Sequence, residues 1–352
     1  MNGQWELLGR SPDLFPLGFD ARKDAVTFIR LSREDYSRAS FLDARILTPQ
    51  TVAHTVPWRQ VAAAIETAKL TERCDFIFHI GHVGSTLISR LVGAHPALLS
   101  LREPQVLRTF ALLKSDPGPT DQKWLPGEFE SRLGGCLKLL SRTFEARQKS
   151  LIKATSFVSE LAVDLLSRTS APKALMIHAS PETYLATILG GPNSRQEAIT
   201  MTPSRLRRLQ RRLGSDAWRV EHLSEGERLA LGWACETSAL VEGKRAAGER
   251  AMQVDFDRFL DNPPELLGGI LHHLGIDATA VEINTILQGP DMRRYSKAPE
   301  HDYDAALRLA VLTEARTAHG AEIRKGLAWL ECAAMEFPLV REAVLFAGHG
   351  AH

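Results

Sequence analysis

Cysteine is scarce in this chain. The four that occur, Cys74, Cys136, Cys235 and Cys332, stand far apart, and no two form a CxxC pair. That spacing argues against a disulfide framework and against a structural zinc site, and it fits a reducing cytoplasm. Excess charge of either sign is lacking too: 43 Lys and Arg face 42 Asp and Glu, so no bulk field draws the chain to nucleic acid or to a membrane surface. No apolar run reaches the ~18 residues that a spanning helix requires. The first fifteen residues or so show no basic region followed by a long apolar one, so no signal peptide is expected. Internal repeats and low-complexity segments are absent as well. What remains is ordinary for a globular protein: 352 residues, 44% hydrophobic and 24% charged, enough for one large α/β domain or two modest ones.

Residues 74–96 are the most informative stretch. The short apolar run Phe76-Ile77-Phe78-His79-Ile80 has the length of a buried strand. Gly81-His82-Val83-Gly84 interrupts it, with two glycines that allow backbone angles other residues resist. Ser85 and Thr86 can each cap a helix, whose apolar face is Leu87, Ile88, Leu91 and Val92, and Gly93 and Pro96 end it. Strand, glycine turn, hydroxyls and helix start together predict an anion cradle, because unpaired N–H groups and the helix dipole converge on the turn.

The same alternation continues along the chain. Val26-Thr27-Phe28-Ile29 and Ala44-Arg45-Ile46-Leu47 read as strands in an N-terminal extension, followed by a helix over 58–70, and no chemistry is assigned to this segment. Further strands are expected at 97–101, 150–153, 173–178 and 252–256. Helices are expected from Pro104, over 129–149, after Thr155-Ser156, after Ser180-Pro181, over 224–250, from Asn262-Pro263-Pro264, and from 302 onward. Short strands alternating with helices predict an α/β fold, a parallel sheet covered on both faces, with ligands at the carboxyl ends of the strands. Residues 81–86, Glu103, Lys153 and Ser180 all fall at such ends. The organisation expected is an extension over 1–73, an α/β core over 74–290 and a helical C-terminal segment of the same domain over 291–352. The basic run Arg205, Arg207, Arg208, Arg211 and Arg212 reads most simply as a solvated helix face. Glu103 reads equally as a salt-bridge partner of Arg102 or Arg108.

The phosphate loop of kinases and NTPases has the form GxxxxGK[ST]; counting from Gly81, Thr86 stands where the second Gly belongs and no Lys follows. A nucleotide kinase is thereby disfavoured. The segment 81–87 instead resembles the loop P-[KR]-S-G-T-T-[WL] of sulfotransferases that use 3'-phosphoadenosine 5'-phosphosulfate (PAPS), matching at Gly84, Thr86 and Leu87 and conservatively at Ser85. Ala94-His95-Pro96, the Ile152-Lys153-Ala154-Thr155 segment, and residues 254–264 with Leu274-Gly275 are similar to further family signatures, nearest to the protein-tyrosine and Golgi-type branch.

The resemblance, covering about residues 74–275, implies a nucleoside triphosphate hydrolase-like sheet and metal-free transfer from PAPS to an acceptor that is a small molecule, glycan or peptide. It implies Glu103 as general base, Lys153 at the sulfonyl oxygens and His82 as donor to the leaving group. It implies Gly81, His82, Val83, Gly84, Ser85, Thr86, Ser180 and Thr187 as nucleotide-binding. The sequence departs from the pattern at His82, where Lys or Arg is usual, and at Ala179, where an Arg binds the 3'-phosphate. Arg195, Arg205 and Arg208 are candidates to replace that Arg, and the tripeptide Arg324-Lys325-Gly326 reads as a coincidence within a helix. The alternative reading is an inactive sulfotransferase-fold protein that binds a nucleotide or anion as an interaction module.

Overall fold

The computed structural model describes residues 8, 11–115, 127–293 and 305–348. Much of the loops at 115–127 and 290–301, expected to border the acceptor, lies outside the described residues. The apolar runs read from the sequence become the strands of one parallel sheet. After an N-terminal antiparallel sheet of β1 (Leu14–Asp20), β2 (Ala25–Arg30) and β3 (His54–Pro57) come β4 (Cys74–His79), β5 (Leu98–Arg102), β6 (Lys149–Lys153), β7 (Ala174–His178) and β8 (Ala251–Asp255). The parallel sheet has the order β5-β6-β4-β7-β8. Every residue of β4, β5 and β7 is buried, as a sheet covered on both faces requires. Helix Ser85–Gly93 lies on one face with Pro263–His273 beside it, and helix Glu225–Ala247 covers the other. Central β4 is followed by β5 on one side, whereas β6 leads to β7 on the other. The loop after β4 therefore opens where the connections diverge, the usual place for a ligand in such sheets.

Several local expectations change. Ala44–Ile46 is a short 3-10 turn capped by Asp43 and not a strand, because its carboxylate accepts the Arg45 N–H and pulls the chain round. The helix expected over 129–149 ends at Leu140, where the Ser141 hydroxyl donates back to the Leu137 carbonyl. Thr155 caps nothing with its side chain; a 3-10 stretch, Ser156–Leu161, leads into the short helix Ala162–Leu166.

Buried arginines fasten the N-terminal segment to the core. Arg142 donates to the carbonyls of Leu8 and Ser11 at 2.8 Å and of Leu14 at 2.5 Å, and Arg102 to those of Ala39 (2.7 Å) and Ser37 (3.0 Å). Burial pushes both guanidiniums down to about 10. At the other end, helix Ala305–Glu336 crosses helix Glu225–Ala247 through Gly226 and Gly326, where an added Cβ would overlap the facing backbone. The Arg324-Lys325-Gly326 tripeptide thus sits inside a helix, with Gly326 at a crossing and Lys325 paired to Glu322 at 2.7 Å. Among the described residues no helix is long and apolar enough to cross a membrane.

Candidate functional site

The loop from β4 to helix Ser85–Gly93 carries three deviations from ordinary backbone within four residues. Gly81 (φ 85°), His82 (φ 53°) and Gly84 (φ 63°) are all left-handed. Gly84, not Ser85 or Thr86, is the N-cap, and among the described residues no side chain caps the helix. The first N–H groups of the helix therefore have no intrahelical acceptor and face the turn. A side chain at Gly84 would be doubly excluded, by its angle and by the Phe256 ring lying against its Cα. Thr86 is 1% exposed, and its hydroxyl has no hydrogen-bond partner among the described residues. A buried hydroxyl left unpaired carries a desolvation penalty of about 1–3 kcal/mol, and an anionic oxygen in the turn would meet both this orphan and the uncapped N–H groups.

His82 is held in the loop by helix Pro192–Leu213. Its Nδ1 lies 3.3 Å from the Ser194 hydroxyl and its Nε2 lies 3.5 Å from a Glu197 carboxylate oxygen. Val83 is buried in the core, and its contribution to an anion site is confined to its backbone.

Glu103 and Lys153 meet at the ends of β5 and β6, where Arg102 and Lys153 are in register. Lys153 is fully buried and its ammonium ion-pairs with Glu103 Oε1. Glu103, a non-glycine residue at φ 55° just before Pro104, holds a conformation that costs of order 1–3 kcal/mol. Its backbone N–H donates to the Lys153 carbonyl at 2.6 Å.

The N-terminal segment, to which sequence reading assigns no chemistry, completes this group. Arg45 stands 3.8 Å from Glu103 Oε2, stacks on the Phe41 ring at 3.5 Å and is gripped by Asp43. Its pKa is raised, first by the Asp43 hydrogen bond and further by the nearby Glu103 and Glu197 carboxylates, against the opposing effect of burial. Phe41 also lies 5.9 Å from the Lys153 ammonium. Segment 41–45 is fixed there by backbone bonds from Leu42 to the Arg102 carbonyl (2.6 Å) and from Gln105 to the Leu42 carbonyl (3.2 Å). Nothing near Arg45 in sequence signals its approach to Glu103, because the two lie more than fifty residues apart.

The remaining sequence-derived residues fall elsewhere or into local roles. Ser180 caps helix Pro181–Leu189 through the Thr183 N–H, and the Thr187 hydroxyl donates to the Thr183 carbonyl of its own helix. The Ala179 carbonyl accepts from the Trp233 indole at 3.1 Å. Arg195 forms a fork with Glu225 at 2.8 and 2.6 Å. Arg205 is buried, and it shares Glu236 with Arg208 at 3.2 and 2.7 Å. Arg208 and Arg212 then share Glu160 at 2.9 and 2.8 Å. Much of the basic run expected as a solvated face is thus a buried ion ladder between helices. The helix positions 205, 208 and 212 share one side, and the carboxylates that meet them come from distant elements. Among the described residues no group of three or more His, Cys, Asp or Glu could hold a metal ion.

No family model matches the chain, and no curated protein matches it. Among solved structures it is similar to the sulfotransferase domain of the curacin biosynthetic pathway, at 13% identity over 71% of this chain and 98% of that one, with a TM-score of 0.39. It is similar to the sulfotransferase domain of the Synechococcus olefin synthase at 15% identity over 70% and 94%, TM-score 0.37. It is also similar to a sulfotransferase from Alicyclobacillus acidocaldarius at 13% identity over 73% and 98%, TM-score 0.35. At this level the likeness assigns no residue and no activity.

Proposed function

We propose that the chain is a PAPS-dependent sulfotransferase, acting on an acceptor hydroxyl or amine. The observation that carries this reading is the cradle: a left-handed turn, an uncapped helix start and an orphaned Thr86 hydroxyl at the end of the central strand. The residues fit a phosphate there, and the loop's resemblance to the sulfonucleotide loop, together with the absent Lys of the NTPase loop, supports a sulfonucleotide over a triphosphate. PAPS would supply the sulfuryl group and a phosphate leaving group. The N–H groups of Gly84, Ser85 and Thr86 and the Thr86 hydroxyl hold that phosphate. His82, beside Glu197, donates to the departing oxygen; losing one such donor typically costs about 3 kcal/mol of barrier. Glu103 accepts the acceptor's proton. Lys153, buried beneath it, orients Glu103 through their ion pair, and Arg45 sets the side from which an acceptor approaches.

Calorimetric titration with adenosine 3',5'-bisphosphate tests the nucleotide half of the proposal: saturable binding is expected, and its absence would end it. Transfer from radiolabelled PAPS, lost in Glu103→Gln, tests the chemical half. A second reading, a nucleotide-binding protein without catalysis, is favoured by Ala179 at the place of an expected Arg and by the engagement of both His82 nitrogens. Binding without any transfer would select it.

A further inference from the structure

We propose that a cavity at the outer edge of the parallel sheet is a separate binding site, for a one-ring aromatic hydroxy acid. β8 is an edge strand in the order β5-β6-β4-β7-β8. A space of about 160 Å³ lies where β8 meets helix Pro263–His273 and helix Pro338–Gly348. An apolar protein cavity of roughly 150 Å³ takes up a benzene molecule, so this one has the size of a single ring. Leu266, Ile270 and Phe346 supply apolar wall for it. The site is distinct from the acceptor side of the sheet. Glu103 follows β5 at the opposite edge, four strand spacings or roughly 19 Å away. The proposal therefore does not rest on the sulfonucleotide reading.

Its polar lining separates this cavity from a packing defect. His178 and Asp255, partners in register across β7 and β8, both line it. His178 is 2% exposed, its ring meets Phe346 edge-on at 5.2 Å, and its Nδ1 has no hydrogen bond among the described residues. Such an orphan costs about 1–3 kcal/mol, which a bound hydrogen-bonding group recovers. One Asp255 oxygen accepts the N–H groups of Asp257 and Arg258 at 2.8 and 3.1 Å, and the other is left for a ligand. A hydroxyl suits this pair, since it donates to the carboxylate and accepts from an imidazole N–H. Burial lowers the His178 pKa, so near neutral pH the ring offers one donor nitrogen and one acceptor. Arg258 lines the same cavity, is exposed, and has no ion-pair partner among the described residues. It places a cation at the mouth, where an acid group would meet it. A hydroxyl within, a ring between and an acid outside together describe 4-hydroxybenzoate.

Calorimetry tests this with three compounds: 4-hydroxybenzoate, benzoate, which lacks the hydroxyl, and phenol, which lacks the acid. Each is titrated into the native chain, His178→Phe and Arg258→Gln. The native chain is expected to bind 4-hydroxybenzoate saturably and to prefer it to benzoate by about tenfold, the worth of one buried hydrogen bond. His178→Phe should bring that ratio near unity. Arg258→Gln, a change at an exposed position, should weaken both acids by about tenfold and leave phenol within about twofold. Saturating adenosine 3',5'-bisphosphate should shift 4-hydroxybenzoate affinity by less than about twofold. Absence of saturable 4-hydroxybenzoate binding by the native chain overturns the site. Binding that neither variant moves overturns it too, because the compound then lies elsewhere, and so does displacement by the bisphosphate, which would assign the cavity to the nucleotide. If His178→Phe does not fold, Arg258→Gln decides alone, and an unchanged preference for the acid over phenol overturns the site. Failure of the bisphosphate to bind at all would end the sulfonucleotide reading and leave this cavity standing.

Discussion

The cradle and the arginine ladder are opposite uses of polar groups under burial. In the ladder, Arg205, Arg208 and Arg212 meet Glu160, Glu236 and Glu242 across 2.7–3.2 Å, and the backbone around them is ordinary helix. In the cradle, three residues of one loop sit at positive φ, a helix starts uncapped, and a buried hydroxyl has no partner among the described residues. The ladder joins two helices and a 3-10 stretch by setting each buried charge against an opposite one, leaving only single atoms such as Arg208 Nε and Glu236 Oε2 without a hydrogen bond among the described residues. The cradle leaves donors unmet, which lowers stability in the free protein and is recovered only if something binds. Density of charge in a sequence is thus a poor guide to where chemistry happens; unmet polar groups in a strained backbone are a better one.

The sharpest way to break this contrast is to attack the ladder. Burial works to raise the Glu236 carboxyl, and Arg208 and Arg205 outweigh it, leaving its pKa below the ordinary carboxylate value. Glu236→Gln should therefore leave Arg205 buried without a carboxylate and Arg208 with Glu160 alone, and lower unfolding free energy by about 3–5 kcal/mol, measured by urea denaturation at neutral pH. Nucleotide affinity of the folded protein should stay within about twofold. A loss under about 1 kcal/mol would show that the ladder does not hold these helices together.

Thr86→Val is the reverse experiment and a smaller one. It keeps the volume and removes the orphan hydroxyl. Unfolding free energy of the free protein should hold or rise by up to about 1 kcal/mol, since an unsatisfied buried group disappears. Affinity for adenosine 3',5'-bisphosphate should fall about tenfold. A drop in stability with unchanged affinity would mean that the hydroxyl serves the core and not a ligand.

The parallel sheet was legible because its strands are short, continuous apolar runs; each of the five core strands falls within a residue or two of its expected place. The cradle was legible for a local reason: strand, glycines and helix start are contiguous. What escaped was assembled from distant pieces. Arg45 reaches Glu103 across 58 residues, and Phe256 reaches Gly84 across 172. The positive φ of Glu103 had no sequence signal, because its residue type does not favour it, and at His82 the signal was weak, since His is enriched there but still uncommon. The ladder was misread because Arg207 and Arg211, which are exposed, interleave with the buried Arg205 and Arg208 and give the run the look of a solvated face.

His178 sharpens the contrast further, since it is as buried as the ladder and as unpartnered as Thr86. It ends β7, is 2% exposed, and its Nδ1 has no hydrogen bond among the described residues. It lines a cavity of about 160 Å³ with Asp255, Arg258 and Phe346. Burial lowers its pKa, while Asp255 and Asp257 pull the other way without cancelling the effect. The sign follows from linkage: the unfolded chain, with an ordinary imidazole near about 6.5, binds a proton that the folded chain resists. Stability is therefore highest above about pH 6.5, falls as pH drops below it, and levels off once the folded imidazole also protonates. One proton can contribute at most about 1.4 kcal/mol per pH unit to that slope. His178→Asn should flatten the fall in unfolding free energy between about pH 7 and 5, leaving the share from His273, whose pKa burial also lowers. An unaltered slope in the variant would place the acid sensitivity elsewhere. A steeper one would mean that the Asp255 and Asp257 carboxylates, and not burial, dominate at the end of β7.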